Sequence, residues 1–99
     1  MPAHIVIDNQ AISEFCRKWQ ITELALFGSV LRDDFRSDSD IDVLVTFEEG
    51  ADVGMLELVR MARELAGVFD RKVDVVEKAG LRPMLRAEVL SSSEVLYAA

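Results

Sequence analysis

GSVLRDDFRSDSDID, residues 28–42, closes on three aspartates two apart, Asp38, Asp40 and Asp42, directly ahead of an apolar run. Residues 41–47, Ile-Asp-Val-Leu-Val-Thr-Phe, are the clearest strand signal in the chain, rich in β-branched residues and poor in turn chemistry. Side chains alternate faces along a strand, so Asp40 and Asp42 point one way while Ile41, Val43 and Val45 point the other. Two carboxylates on one face repel unless they are hydrated or bridged by a cation. A hard ion such as Mg²⁺ suits them, since it takes oxygen ligands and keeps several waters. Taken alone, the aspartates also fit a hydrated surface turn. A calcium EF-hand loop is the sharper rival, with Asp38, Asp40, Asp42 and Glu49 at its positions 1, 3, 5 and 12. Its sixth position needs Gly and here is Val43, inside the strand signal.

Working outward, Ile12, Phe15, Cys16 and Trp19 recur at helical spacing, with Asp8 placed to cap the helix start. ITELALF, residues 21–27, reads as a strand stopped by Gly28, and Ser29 can cap a short helix through Phe35. After the loop at 48–54, Met55, Val59, Ala62, Ala66 and Phe69 mark one face of a long helix ending between Gly67 and Asp70. KVDVVEK, residues 72–78, is a third strand. Pro83 suits the first turn of a helix over residues 83–90. EVLYAA, residues 94–99, fits either a short final strand or a fraying end. Strands interspersed with helices predict an α/β (α+β) layer arrangement, a small mixed β-sheet flanked by helices. The link between the second and third strands is long enough for a helical crossover, which would make part of the sheet parallel.

Ninety-nine residues predict one domain over residues 1–99. An apolar share of 51% against 29% charged is that of a soluble globular chain, and no run is long enough to span a membrane. The N-terminus lacks the pattern of a secretion signal, so a cytoplasmic location is expected. One cysteine, Cys16, excludes an internal disulfide and a cysteine-rich zinc site, and its place on an apolar helix face reads as core. His4 is the only histidine and lies near a terminus, so Ser-His-Asp chemistry has weak support and His-rich metal sites have none. A net charge of −7 argues against non-specific nucleic-acid binding and favours a basic protein partner, or an anionic substrate delivered with metal cations.

A third carboxylate completes the candidate site. Asp74 sits among Val73, Val75 and Val76, where an acid is costly to bury without a partner. If the second and third strands are neighbours, Asp74 joins Asp40 and Asp42 as a metal ligand. Three carboxylates around one or two metal ions suit phosphoryl or nucleotidyl transfer, with Asp74 the candidate general base. Gly28 allows close backbone approach, and Ser29 at a helix start offers donors to a phosphate. Arg32 and Arg36, one helical turn apart, could reach the same phosphates or pair with Asp33, Asp34 and Asp38 at the surface.

The combination FGSVLR…SDSDIDVLVTF followed by Asp74 closely resembles the polymerase-beta-like nucleotidyltransferase superfamily, over about residues 21–90. The nearest branch is the minimal nucleotidyltransferase (MNT) proteins. The resemblance implies the nucleotidyltransferase fold, nucleotide phosphate at Gly28 and Ser29, and Mg²⁺ at Asp40, Asp42 and Asp74. Leu31 and Asp33 depart from the family, which often has Ala before the Arg and Gly after it. Asp33 puts extra negative charge near the expected phosphate position. MNT proteins are commonly paired with a HEPN-domain toxin, and the family activity is transfer of AMP from ATP to a tyrosine hydroxyl of that toxin. The resemblance therefore implies an Mg²⁺- and ATP-dependent antitoxin with a HEPN partner. Two alternatives stand beside it: a non-catalytic module that masks its partner, and nucleotidyl transfer to a small molecule or RNA.

Overall fold

A computed structural model describes residues 7–28 and 40–99. The elements run α1 (Asn9–Lys18), β1 (Ile21–Phe27), β2 (Ile41–Phe47), α2 (Met55–Phe69), β3 (Val73–Glu77), α3 (Pro83–Ser92) and β4 (Glu94–Ala98). A 3-10 turn, Lys78–Gly80, follows β3. The short helix expected at Ser29–Phe35 lies outside the described residues, as do His4, Arg32, Asp33, Arg36 and Asp38.

The four strands form one mixed sheet in the order β3-β2-β1-β4. β1 pairs antiparallel with both β2 and β4, whereas β2 and β3 run parallel, joined by α2 as the crossover. The C-terminal residues 94–98, open to either reading from sequence, are the edge strand β4. Its pairing is continued by the Ala99 amide, which donates to the Thr22 carbonyl at 2.7 Å.

One face of the sheet carries the core. Leu24 and Leu26 of β1, Ile41, Val43 and Val45 of β2, and Val73 of β3 pack against Ile12, Phe15 and Cys16 of α1. Met61, Leu65 and Phe69 of α2 complete the cluster. α1 starts as its sequence predicts, with the Asp8 carboxylate accepting from the Ala11 amide at 3.1 Å. Arg17 and Lys18 lie in its last turn, where positive charge suits the helix dipole. Trp19 is the residue that caps the helix end, and its partly buried ring still packs against the core. Its indole nitrogen donates to Glu64 of α2, which also receives Lys18.

The C-terminal half of the stripe expected for α2 is borne out, with Phe69 buried and Ala66 packed against the core. Its N-terminal half differs: Met55 and Val59 are exposed, while Met61 and Leu65 are fully buried. The helix is apolar on two adjacent stripes, and there it turns the bulky Met61 and Leu65 toward the sheet, which fills the layer more completely. No helix among the described residues is long and apolar enough to cross a membrane.

Candidate active site

The sheet face opposite α1 and α2 is organised in rows, because side chains level with one another on neighbouring strands point the same way. At the acidic end, Phe27, Asp42 and Asp74 form one row, each facing the next in register. Ala25, Leu44 and Val76 form the second. Ala25 and Leu44 are buried. Glu23 and Thr46 begin the third, where the Lys78 ammonium reaches the Glu23 carboxylate at 3.3 Å across β2. The face therefore grades from paired acids at one end, through an apolar band, to a closed ion pair at the other.

The condition placed on Asp74 by the sequence is met. β2 and β3 are neighbours, and Asp42 and Asp74 are direct partners in the parallel ladder. The Ile41 amide donates to the Lys72 carbonyl at 2.9 Å, which fixes this register where the two strands begin. In-register residues on adjacent strands are about 4.8 Å apart, so the two carboxylates are held side by side. Asp40 stands one residue ahead of β2 and is exposed, Asp42 is half-buried, and Asp74 is exposed. Among the described residues, no three His, Cys, Asp or Glu side chains gather closely enough to enclose a metal ion by themselves. An Mg²⁺ ion does not require such a cage. It is typically held by one or two carboxylates, with phosphate oxygens and water filling the other positions. The donor chemistry of Asp42 and Asp74 fits that arrangement.

Gly28, the last described residue before the gap, turns out of β1 with φ +79°, a left-handed conformation that disfavours residues with a Cβ. A Cβ placed there would strike Oδ2 of Asp42 and lie 3.3 Å from its Cγ. Ser29 and Arg32, the other expected phosphate contacts, lie outside the described residues.

Sequence reading did not anticipate the apolar groove beside this row. Asp74 borders a groove of about 390 Å³ between α2 and β3, lined by Met55, Leu58, Val59, Val75 and Gly80. Its signal was present but assigned elsewhere, because Met55 and Val59 were counted toward the buried stripe of α2.

Residues 9–96 match the nucleotidyltransferase domain family. The chain belongs to that family. Within the nucleotidyltransferases, it is 32% identical over 84 residues to the protein adenylyltransferase MntA of Thermococcus cleftensis, covering 85% of this chain and 81% of that protein. A solved structure described as a candidate minimal nucleotidyltransferase superposes with a TM-score of 0.71 at 37% identity, over 87% of this chain and 86% of that one. The nucleotidyltransferase fold is also shared with an MNT antitoxin solved with a tri-AMPylated HEPN toxin of Shewanella oneidensis. There the TM-score is 0.68 at 22% identity, over 92% of this chain and 70% of that one.

Proposed function

We propose that this nucleotidyltransferase is an Mg²⁺-dependent protein adenylyltransferase, moving AMP from ATP to a tyrosine hydroxyl of a HEPN-type toxin and acting as its antitoxin. The observation that carries the reading is the in-register pair Asp42 and Asp74 at the strand mouths, beside the Gly28 turn. The name of the Thermococcus relative supports adenylyl transfer to protein. The Shewanella complex supports a HEPN partner. A chain of charge −7 is also electrostatically suited to a basic, RNA-binding partner.

Asp42 and Asp74 are the residues that would hold Mg²⁺, with Asp40 the third ligand that the resemblance to the family implies. The ion's chemistry there would be to neutralise the triphosphate and the departing pyrophosphate. Gly28 and Ser29 would contact the phosphates, as the resemblance to the family implies, and Arg32 could reach them. The tyrosine oxygen attacks the α-phosphorus of ATP while the bond from that phosphorus to the pyrophosphate oxygen breaks. The phenol proton passes to a carboxylate, a role assigned to Asp74, which is exposed at the edge strand and so reachable by a protein acceptor. Pyrophosphate leaves with the electron pair of the broken bond.

Purified protein, ATP, Mg²⁺ and the partner encoded beside it should give a partner heavier by one or more AMP units in intact-mass spectra. Asp40→Asn with Asp42→Asn should abolish the adduct. An adduct that persists in the double variant overturns the proposed site. Neutralisation without any adduct, unaffected by the double change, replaces catalysis with masking of the partner.

A further inference from the structure

We infer that Gly28 is a positioning residue for the Asp42 carboxylate, and that this contact, more than phosphate approach, is what restricts the end of β1 to glycine. The inference rests on the reading of Asp42 as a metal ligand. Its structural half stands without that reading.

Two independent features meet at residue 28. The backbone turns there with φ +79°, so any side chain is already disfavoured. The volume a Cβ would fill is also occupied, by Oδ2 of Asp42 with its Cγ only 3.3 Å away. Asp42 reaches that position because Phe27 is its partner across the β1–β2 ladder, which brings the residue after Phe27 alongside the carboxylate. The carboxylate thus leans into the notch left by the missing Cβ. Filling the notch would rotate Asp42 away, toward a different rotamer, and separate it from Asp74 on the other side. A metal ligand held in one orientation by its surroundings binds more tightly than one that must be reoriented. Loss of such an orienting contact typically costs about 10–100-fold in metal affinity.

The contact and its consequence can be separated experimentally. Thermal stability is measured for Gly28→Ala, Asp42→Ala and the double variant. Gly28→Ala should lower Tm more in the native background than in the Asp42→Ala background, where only the backbone conformation is penalised. Equal losses in both backgrounds overturn the contact. If Gly28→Ala fails to fold, the double variant decides: its folding supports the contact, and its failure overturns it. Mn²⁺ binding without nucleotide is then followed by electron paramagnetic resonance. Gly28→Ala should weaken it at least about tenfold, and by more than it weakens ATP binding in EDTA. Weakened ATP binding in EDTA with unchanged Mn²⁺ affinity assigns Gly28 to the phosphate and overturns the inference. Native protein that binds no Mn²⁺ defeats the proposed metal site itself, leaving the stability cycle to judge the Gly28–Asp42 contact alone.

Discussion

Burial pushes the Cys16 thiol from 9.0 up to about 12, because a thiolate in the core beneath α1 would lose its hydration. The unfolded chain releases this proton near 9.0, so above that pH it binds fewer protons than the folded chain. Stability from this group is complete below pH 9 and is lost as pH climbs toward 12, by at most about 1.4 kcal/mol per pH unit. Urea midpoints compared between native protein and Cys16→Ala across pH 8–11 should show a steeper fall for the native chain. Parallel curves would contradict the assignment. At pH 8 the buried thiol should also react with a disulfide reagent only as fast as the chain opens. The same scale shows what sequence reading can reach. A lone cysteine on an apolar face reads correctly as core from pattern alone. The meeting of Gly28 with Asp42 depends on strand register, which no local pattern encodes.

Each helix tests how burial divides its residues. Met61 is fully buried and Leu56 is 60% exposed on the same helix. Met61→Ala should cost about 2–5 kcal/mol, and Leu56→Gln should stay within about 0.5 kcal/mol, both read from urea denaturation. If the stripe expected from sequence were the buried one, Val59→Gln would be the damaging change. The stripe read from sequence holds at Ala66 and Phe69 and fails at Met55 and Val59, because α2 is apolar over a wide arc and periodicity fixes the helix without choosing between adjacent faces. The choice comes from side-chain volume against the sheet. α2 ends at Asp70, in a left-handed conformation with φ +55° and no basic residue in the last turn. An anion at the negative end of a helix is unfavourable, and asparagine tolerates the same backbone. Asp70→Asn should therefore raise stability by about 0.3–1 kcal/mol, seen as a higher urea midpoint. β2 and β3, by contrast, were legible to within a residue, since each is a short β-branched run bounded by turn or charged residues.

Across the molecule, β1 and β2 lie inside the sheet and β3 and β4 at its edges. Amide hydrogen exchange should be slowest at Leu24, Leu26, Val43 and Val45, which are buried and paired within the two inner strands. Faster exchange there than in β4 would contradict the strand order. The layer arrangement and the parallel crossover were readable from the order of elements. The placement of β4 beside β1 was not, because its five residues carry too little pattern to name a neighbour. The parallel pairing has a consequence for synthesis. β1 and β2 can close against each other as soon as both have left the ribosome, but Asp42 has no facing acid until β3 is added. Between those moments the nascent chain carries the Gly28 turn and one half of the acid pair, without the other half. Any chemistry that needs both carboxylates is thereby withheld from incomplete chains.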